Sequence, residues 1–258
     1  MLSLRNKTVL ITGASAGIGK ATAFAFAALG ARLILCARRL DALTELTPQL
    51  LEAGAADVLN LKLDVTDRQA VEAALGTGLD PAWQAIDILV NNAGLSRGLT
   101  KLYEDDPQNW DEMIDTNVKG LLYVTRAVVP GMVARGFGHV VNLGSTAAYQ
   151  TYANGAVYCA TKAAEKVISE GLRIDLILSP VRVTSIDPGM VETDFSLIRF
   201  RGDTERAAKV YQNITPLQPE DVADAIVWAT TRPAHVNIHN VLMTTIDQAN
   251  STVFNRRS

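Results

Sequence analysis

Tyr158 and Lys162 stand four residues apart in Tyr158-Cys159-Ala160-Thr161-Lys162, within a run from Val157 to Leu178 that reads as helix. Residues at this spacing lie one above the other on a single helical face. The ammonium is thereby held beside the phenol, and a positive charge there favours the phenolate. A phenol that ionises readily can exchange a proton with an alcohol or a ketone near neutral pH. Alone the pair is a weak signal, because Tyr and Lys share many solvated helix faces. The rest of the chain has to decide.

Two further polar residues fit the same chemistry. Ser145, in Asn142-Leu143-Gly144-Ser145-Thr146, stands thirteen residues before Tyr158, just after a strand candidate. A hydroxyl there can hydrogen-bond a substrate oxygen alongside the phenol. Asn117, in Asp115-Thr116-Asn117-Val118-Lys119-Gly120, falls inside a long helical pattern that also contains Pro130. Asn, Gly and Pro are all unfavourable in a helix interior, and such local conflict tends to mark a functional or strained site.

A dinucleotide site is readable upstream. The first strand runs into Thr12-Gly13-Ala14-Ser15-Ala16-Gly17-Ile18-Gly19, and a helix opens at once. Gly13 permits the turn, Gly17 lets backbone approach a pyrophosphate, and Gly19 lets helix pack closely on sheet. The helix N-terminus offers free N–H groups to phosphate. Ser15 and Ile18 complete the loop's candidate contacts. The second strand ends in Arg38-Arg39 with no carboxylate before Asp41. NAD sites place an acid here for the ribose 2′-hydroxyl, whereas arginines suit a 2′-phosphate. The expected cofactor is NADP(H). Asp64 and Val65 close the third strand and are expected near the adenine; Asn91, Ala93 and Gly94 close the fourth, beside the adenosine.

The elements that must position these residues alternate. Strand candidates are Thr8–Thr12, Arg32–Cys36, Val58–Leu63, Ile86–Asn91, His139–Leu143, Arg182–Asp187 and Val241–Ile246. They are rich in Val, Ile and Leu and scarcely alternate in polarity, as befits strands covered on both faces. Between them lie helix candidates Gly17–Leu29, Leu40–Ala53, Arg68–Gly76, Pro107–Ala134, Val157–Leu178 and Pro219–Thr231. Such alternation implies right-handed crossovers and one doubly wound, Rossmann-type α/β domain, its mainly parallel sheet carrying helices on both faces. No linker divides residues 1–258. The segment Glu192–Gln218 breaks the alternation and is expected to form a lid over the substrate pocket. Arg199 and Arg201 on it are candidate clamps for a substrate carboxylate.

Composition excludes other classes. A net charge of −3 argues against nucleic acid or anionic membrane as the main partner. Cys36 and Cys159 are too few for a disulfide scaffold. The N-terminal residues show no signal peptide pattern and no run is long enough to span a bilayer, so a cytoplasmic location is expected. His235 and His239 lack an evident third ligand, and no metal site is expected.

Taken together, Thr12–Gly19, Asn91–Gly94, Asn117, Ser145, Tyr158 with Lys162, and Pro188-Gly189 resemble the short-chain dehydrogenase/reductase family in order and spacing, across essentially the whole chain. The resemblance implies a seven-stranded Rossmann fold, usually tetrameric, and Asn117, Ser145, Tyr158 and Lys162 as a catalytic tetrad. Pro188, Gly189, Val191 and Thr193 would lie near the nicotinamide. Met113–Asn117, Thr125-Arg126-Ala127, Arg199–Asp203 and Arg232–Ile238 look like the NADP-dependent 3-hydroxy-acid, serine 3-dehydrogenase-like branch. That branch oxidises the β-hydroxyl of small acids of the serine, allo-threonine and 3-hydroxypropionate type. Two alternatives stand beside it: an NADPH-dependent reductase of another ketone or a 3-ketoacyl thioester, and an NADP(H)-sensing protein without turnover. The long helical stretches 107–134 and 157–178 offer apolar surface for a homotetramer.

Overall fold

The computed structural model describes residues 3–257; Met1, Leu2 and Ser258, the ends of the N-terminal and C-terminal segments considered above, lie outside them. Seven strands form one sheet: β1 (Thr8–Thr12), β2 (Arg32–Ala37), β3 (Asp57–Lys62), β4 (Ile86–Asn91), β5 (Gly138–Leu143), β6 (Val181–Pro188) and β7 (Asn240–Met243). The order is β3-β2-β1-β4-β5-β6-β7, with every pairing parallel. Strand order reverses between β1 and β4, so a crevice opens there at the carboxyl edge, the place where doubly wound sheets bind ligands.

Successive side chains on a strand point to opposite faces, and each face has its own core. Val9, Ile11, Leu33, Leu35 and Val90 pack on one side against α1 (Gly17–Ala27), α2 (Leu40–Glu52) and α9 (Pro219–Thr230). Leu10, Ile34, Leu89 and Val140 pack on the other, against α3 (Arg68–Val71), α5 (Leu121–Arg135) and the end of α6 (Ala156–Asp175). Leu10 and Leu89 are fully buried; truncating either to Ala would cost about 2–5 kcal/mol.

Boundaries differ from the sequence expectations where local bonds intervene. The helix expected over Pro107–Ala134 is α4 (Pro107–Ile114), a π-turn at Asp115–Gly120, and then α5, which ends at Gly136 with φ +67°. A second π-turn, Glu72–Thr77, continues the short α3. The expected β7 stops at Met243, because Thr245 Oγ1 bonds Thr215 O and Gln248 Oε1 accepts from Met190 N at 2.8 Å, drawing the chain off the sheet. The helix expected to reach Leu178 stops at Asp175, and a turn leads to Pro180, which α-helix does not accommodate.

The segment Glu192–Gln218, expected to form a lid, contains regular structure. It folds into α7 (Phe195–Arg199) and α8 (Thr204–Val210) and is closed at its base by a bridge between Val191 and Leu217. The C-terminal tail packs beside it: Arg257 N donates to Asn213 O at 2.9 Å and its guanidinium pairs with Asp247 at 3.0 Å. No helix of the described residues is long and apolar enough to cross a membrane.

Candidate active site

The glycine loop follows β1 and is braced from β4. Gly13 and Gly17 take φ +64° and +51°, a region open to glycine with little strain. Asn92 Nδ2 donates to Thr12 O at 2.9 Å and Gly13 O at 3.1 Å, while Thr12 Oγ1 accepts from the backbone of both Asn92 and Ala93 at 3.0 Å. A Cβ at Gly19 would collide with Gly13 O and the Asn92 amide. Ser15 and Ile18 lie in this loop and the first turn of α1. Thr193 covers it from the lid side, its Cγ2 3.2 Å from where a Gly17 Cβ would stand.

The loop meets β2 through Ala14 N to Cys36 O at 3.2 Å, which brings the strand end carrying Arg38 and Arg39 alongside. Both arginines are exposed. Neither makes a side-chain hydrogen bond or ion pair among the described residues. Two unpaired guanidinium groups beside a phosphate-binding turn fit the 2′-phosphate of NADP(H). At the end of β3, one Asp64 oxygen is engaged by Thr66 N at 3.0 Å and Thr66 Oγ1 at 2.8 Å, leaving the other free. Val65 packs so closely under Gly120 that a Cβ there would fall 2.7 Å from its Cγ2. Asn91 turns inward: its amide donates to Thr125 Oγ1 and Asn142 Oδ1, at 3.1 and 2.9 Å, so the bracing side chain at this edge is Asn92.

Tyr158, Lys162, Ser145 and Asn117 are all buried and gather at the carboxyl ends of β4 and β5. Lys162 Nζ donates to Leu143 O at 2.6 Å and Glu165 Oε2 at 2.8 Å. Ser145 Oγ accepts from Ala147 N at 3.1 Å, which leaves its hydroxyl hydrogen free to serve a ligand oxygen. Asn117 sits in the π-turn. Its amide closes a two-way clasp on Leu95, N and O each at 2.8 Å, and donates to Thr161 Oγ1 at 3.0 Å. Thr161 in turn donates to Tyr158 O at 2.7 Å, so the π-turn is tied to α6. Gly94 lies beside both Asn117 and Lys162: a Cβ there would stand 3.4 Å from Asn117 Oδ1 and 3.8 Å from Lys162 Nζ.

Below the lid, Gly189 N donates to Met243 O at 2.8 Å, Tyr211 OH caps Val191 O at 2.9 Å, and Pro188 ends β6. Phe195 meets the Tyr158 ring edge-on at 5.8 Å between centroids. Of the two arginines expected to hold substrate, only Arg199 is brought to the phenol. Its guanidinium carbon lies 5.4 Å from the Tyr158 ring centre, one Nη reaches Tyr152 OH at 3.3 Å, and Nε is buried with no hydrogen-bond partner. Arg201 instead bonds Asn109 Oδ1 at 2.8 Å and pairs with Glu112 at 3.2 Å, on the surface.

Sequence reasoning passed over Asn92, Thr161, Glu165, Tyr152 and Phe195. Asn92 falls within the strand end Asn91–Gly94 read above, and Glu165 carries a signal in the form of an acid one turn after Lys162.

Comparison with known proteins agrees with this geometry. Residues 7–201 match the family described as short chain dehydrogenase. The NADP-dependent 3-hydroxy acid dehydrogenase YdfG of Salmonella typhi is 48% identical over 242 residues, spanning 93% of this chain and 96% of that protein. The NADP-dependent 3-hydroxy acid dehydrogenase of Schizosaccharomyces pombe is 42% identical over 244 residues, 94% of each chain. The closed form of serine dehydrogenase complexed with NADP+ superposes with a TM-score of 0.91 at 45% identity, covering 97% of this chain and 100% of that one.

Proposed function

The chain belongs to the short-chain dehydrogenase family, and on that premise we propose that it oxidises the β-hydroxyl of a small 3-hydroxy acid or β-hydroxy amino acid with NADP+, reversibly. The observation that carries the substrate class is Arg199: a guanidinium over the Tyr158 ring whose Nε is buried without a partner. A substrate carboxylate supplies that partner and, held bidentately, fixes the carbon two bonds away. The relatives named for 3-hydroxy acid and serine oxidation support the same class.

When bound, the nicotinamide accepts the hydride in the forward direction and returns it in the reverse. The chain's residues handle the oxygen and its proton. Tyr158 as phenolate takes the hydroxyl proton as the carbon–oxygen double bond forms. Ser145 donates its free hydrogen to the same oxygen and holds it beside the phenol. Lys162 stabilises the phenolate by charge, and its remaining N–H would serve the nicotinamide ribose. Asn117 keeps the π-turn against α6 and supports the route by which the proton leaves. The glycine loop, with Ser15 and Ile18, takes the pyrophosphate; Arg38 and Arg39 take the 2′-phosphate; Asp64, Val65 and the turn after Asn91 flank the adenosine; and Pro188, Gly189, Val191 and Thr193 enclose the nicotinamide end. Residues 192–218 serve as the lid of a single domain.

Two buried free cysteines suit a reducing, cytoplasmic compartment. Exposed Leu122, Val133, Val167 and Ile174 on α5 and α6 support a homotetramer, with Leu242 and Trp228 offering a second apolar face.

Arg199→Ala tests the substrate class. Losing a charge-assisted hydrogen bond of about 1.5–3 kcal/mol should lower kcat/KM for a 3-hydroxy acid roughly ten- to a hundredfold. Oxidation of a neutral alcohol of similar size should barely change. Equal losses on both substrates would remove the clamp.

A further inference from the structure

Lys162, which the reaction described above uses, is also paired with a buried carboxylate that the reaction leaves unused. Glu165 stands three residues beyond Lys162 on α6, with Oε2 at 2.8 Å from Nζ, and the two side chains are 2% and 9% exposed. Leu143 O takes a second ammonium hydrogen, so one of the three remains for a ligand. A buried ion pair seldom stabilises a fold better than packed apolar side chains of the same volume. With Lys162 buried here, the carboxylate balances its charge, and what else it does to the site is the question. A second buried acid, Asp187 on β6, stands nearby, held by Ser185 Oγ at 2.6 Å, Tyr149 OH at 2.7 Å and Asn240 at 3.2 Å.

We propose that Glu165 is a positioning residue of the dehydrogenase site: it anchors the Lys162 ammonium beside β5 and, by offsetting part of its charge, sets the pH at which Tyr158 accepts the substrate's proton. The proposal rests on the oxidoreductase reading given above. Burial pushes the Glu165 carboxyl up to about 7, with Lys162 pulling against it and Asp187 adding to the rise. Burial would likewise lower Lys162, but Glu165 and Tyr158 outweigh it and hold the ammonium above its ordinary value.

The charged and titratable neighbours are few. Glu165 is faced by Lys162 on its own helix and Asp187 from β6. Tyr158 is faced by Lys162, by Arg199 from α7, and by Tyr152, with the Cys159 thiol beside them. Arg173 and Tyr149 act on Asp187. As a carboxylate, Glu165 cancels part of the ammonium's field at the phenol. With Glu165 neutralised, the ammonium, while protonated, acts on the phenol with nothing offsetting it, and proton acceptance at lower pH is the expected outcome.

The test is the pH profile of kcat/KM for oxidation of a 3-hydroxy acid by NADP+, in the wild type, Glu165→Gln and Glu165→Leu, with folding followed by circular dichroism. The expected result is a rising limb displaced to lower pH by about one unit in both variants. A limb that stays in place in folded variants overturns the proposal, since a merely structural carboxylate would leave it there. Loss of the folded state in both also overturns it, by assigning the pair to the fold. A wild type that turns over no 3-hydroxy acid at any pH fails earlier and separately: it removes the dehydrogenase reading, and the proposal with it.

Discussion

Tyr158 has an ammonium one helical turn away and a guanidinium 5.4 Å from its ring centre, so its surroundings are positive from two directions. Positive charge beside a phenol favours the form that accepts an alcohol proton. Tyr158→Phe keeps the ring packed on Phe195 but removes the proton acceptor. Turnover should fall by about 10²–10⁴-fold, while NADP+ titrated by fluorescence binds as before; a variant within a few-fold of wild-type kcat would contradict the assignment. The cofactor preference also lives on single residues. Replacing Arg38 and Arg39 with Ala should raise KM for NADP+ by at least about tenfold and leave KM for NAD+ nearly unchanged. If both cofactors suffer equally, the arginines do not read the 2′-phosphate.

The elements show why some of this was legible in the sequence and some was not. The glycine loop, the strand ends and the Tyr158/Lys162 pair are set by local rules: one tight turn, one helical period, one strand alternation. They stand where the residues implied. The conflict around Asn117 was visible too, but its resolution as a π-turn was not, because it depends on Leu95 and Thr161, which are distant in sequence. The lid was harder still. Its helices are short, and they are held by contacts spanning a hundred residues: Gly98 N to Arg199 O at 2.9 Å, Arg97 to Ile198 O, and Glu112 between Arg97 and Arg201. No local pattern records such pairing, so Arg199 and Arg201 read alike until the fold separated them. Burial works against the Glu112 carboxylate, but its two guanidinium partners keep it below the ordinary range. Glu112→Gln should therefore loosen the lid. Faster hydrogen exchange across residues 195–203 and a higher KM are expected, with little change in kcat at saturation; unchanged exchange would mean the clasp does not hold the lid.

At the scale of the whole molecule, the seven parallel strands bring the glycine loop, Ser145 and the Tyr158–Lys162 pair to one edge, while Arg201 lies apart on the surface and buried titratable groups lie elsewhere. His139, bonded to Thr184 at 2.8 Å, is one: burial pulls its imidazole down to about 3, with Arg182 adding to the effect. An unfolded imidazole titrates near 6.5, so below that pH the unfolded chain binds a proton that the folded chain refuses. Stability falls as pH drops through that window, by about 2 kcal/mol at pH 5 from this residue. Glu165 has the opposite sign: its raised value means the folded chain holds the extra proton between about pH 4.5 and 7, so stability is lost there as pH rises. The difference between wild type and His139→Gln isolates the first effect. In urea unfolding the variant should lose about 2 kcal/mol less between neutral pH and pH 5; equal losses would show that His139 is not held neutral. Light scattering addresses the exposed faces of α5 and α6 and should return a tetramer, whereas a monomer would leave Val167 and Ile174 without cover. The most direct measurement of the central claim is NADPH absorbance on mixing the purified chain with NADP+ and a panel of serine, allo-threonine, 3-hydroxypropionate and neutral alcohols. The account predicts formation of NADPH with the 3-hydroxy acids, little with the neutral alcohols, and none when Tyr158 is Phe. NADPH formed only with alcohols lacking a carboxylate, or formed undiminished without the phenol, would contradict it.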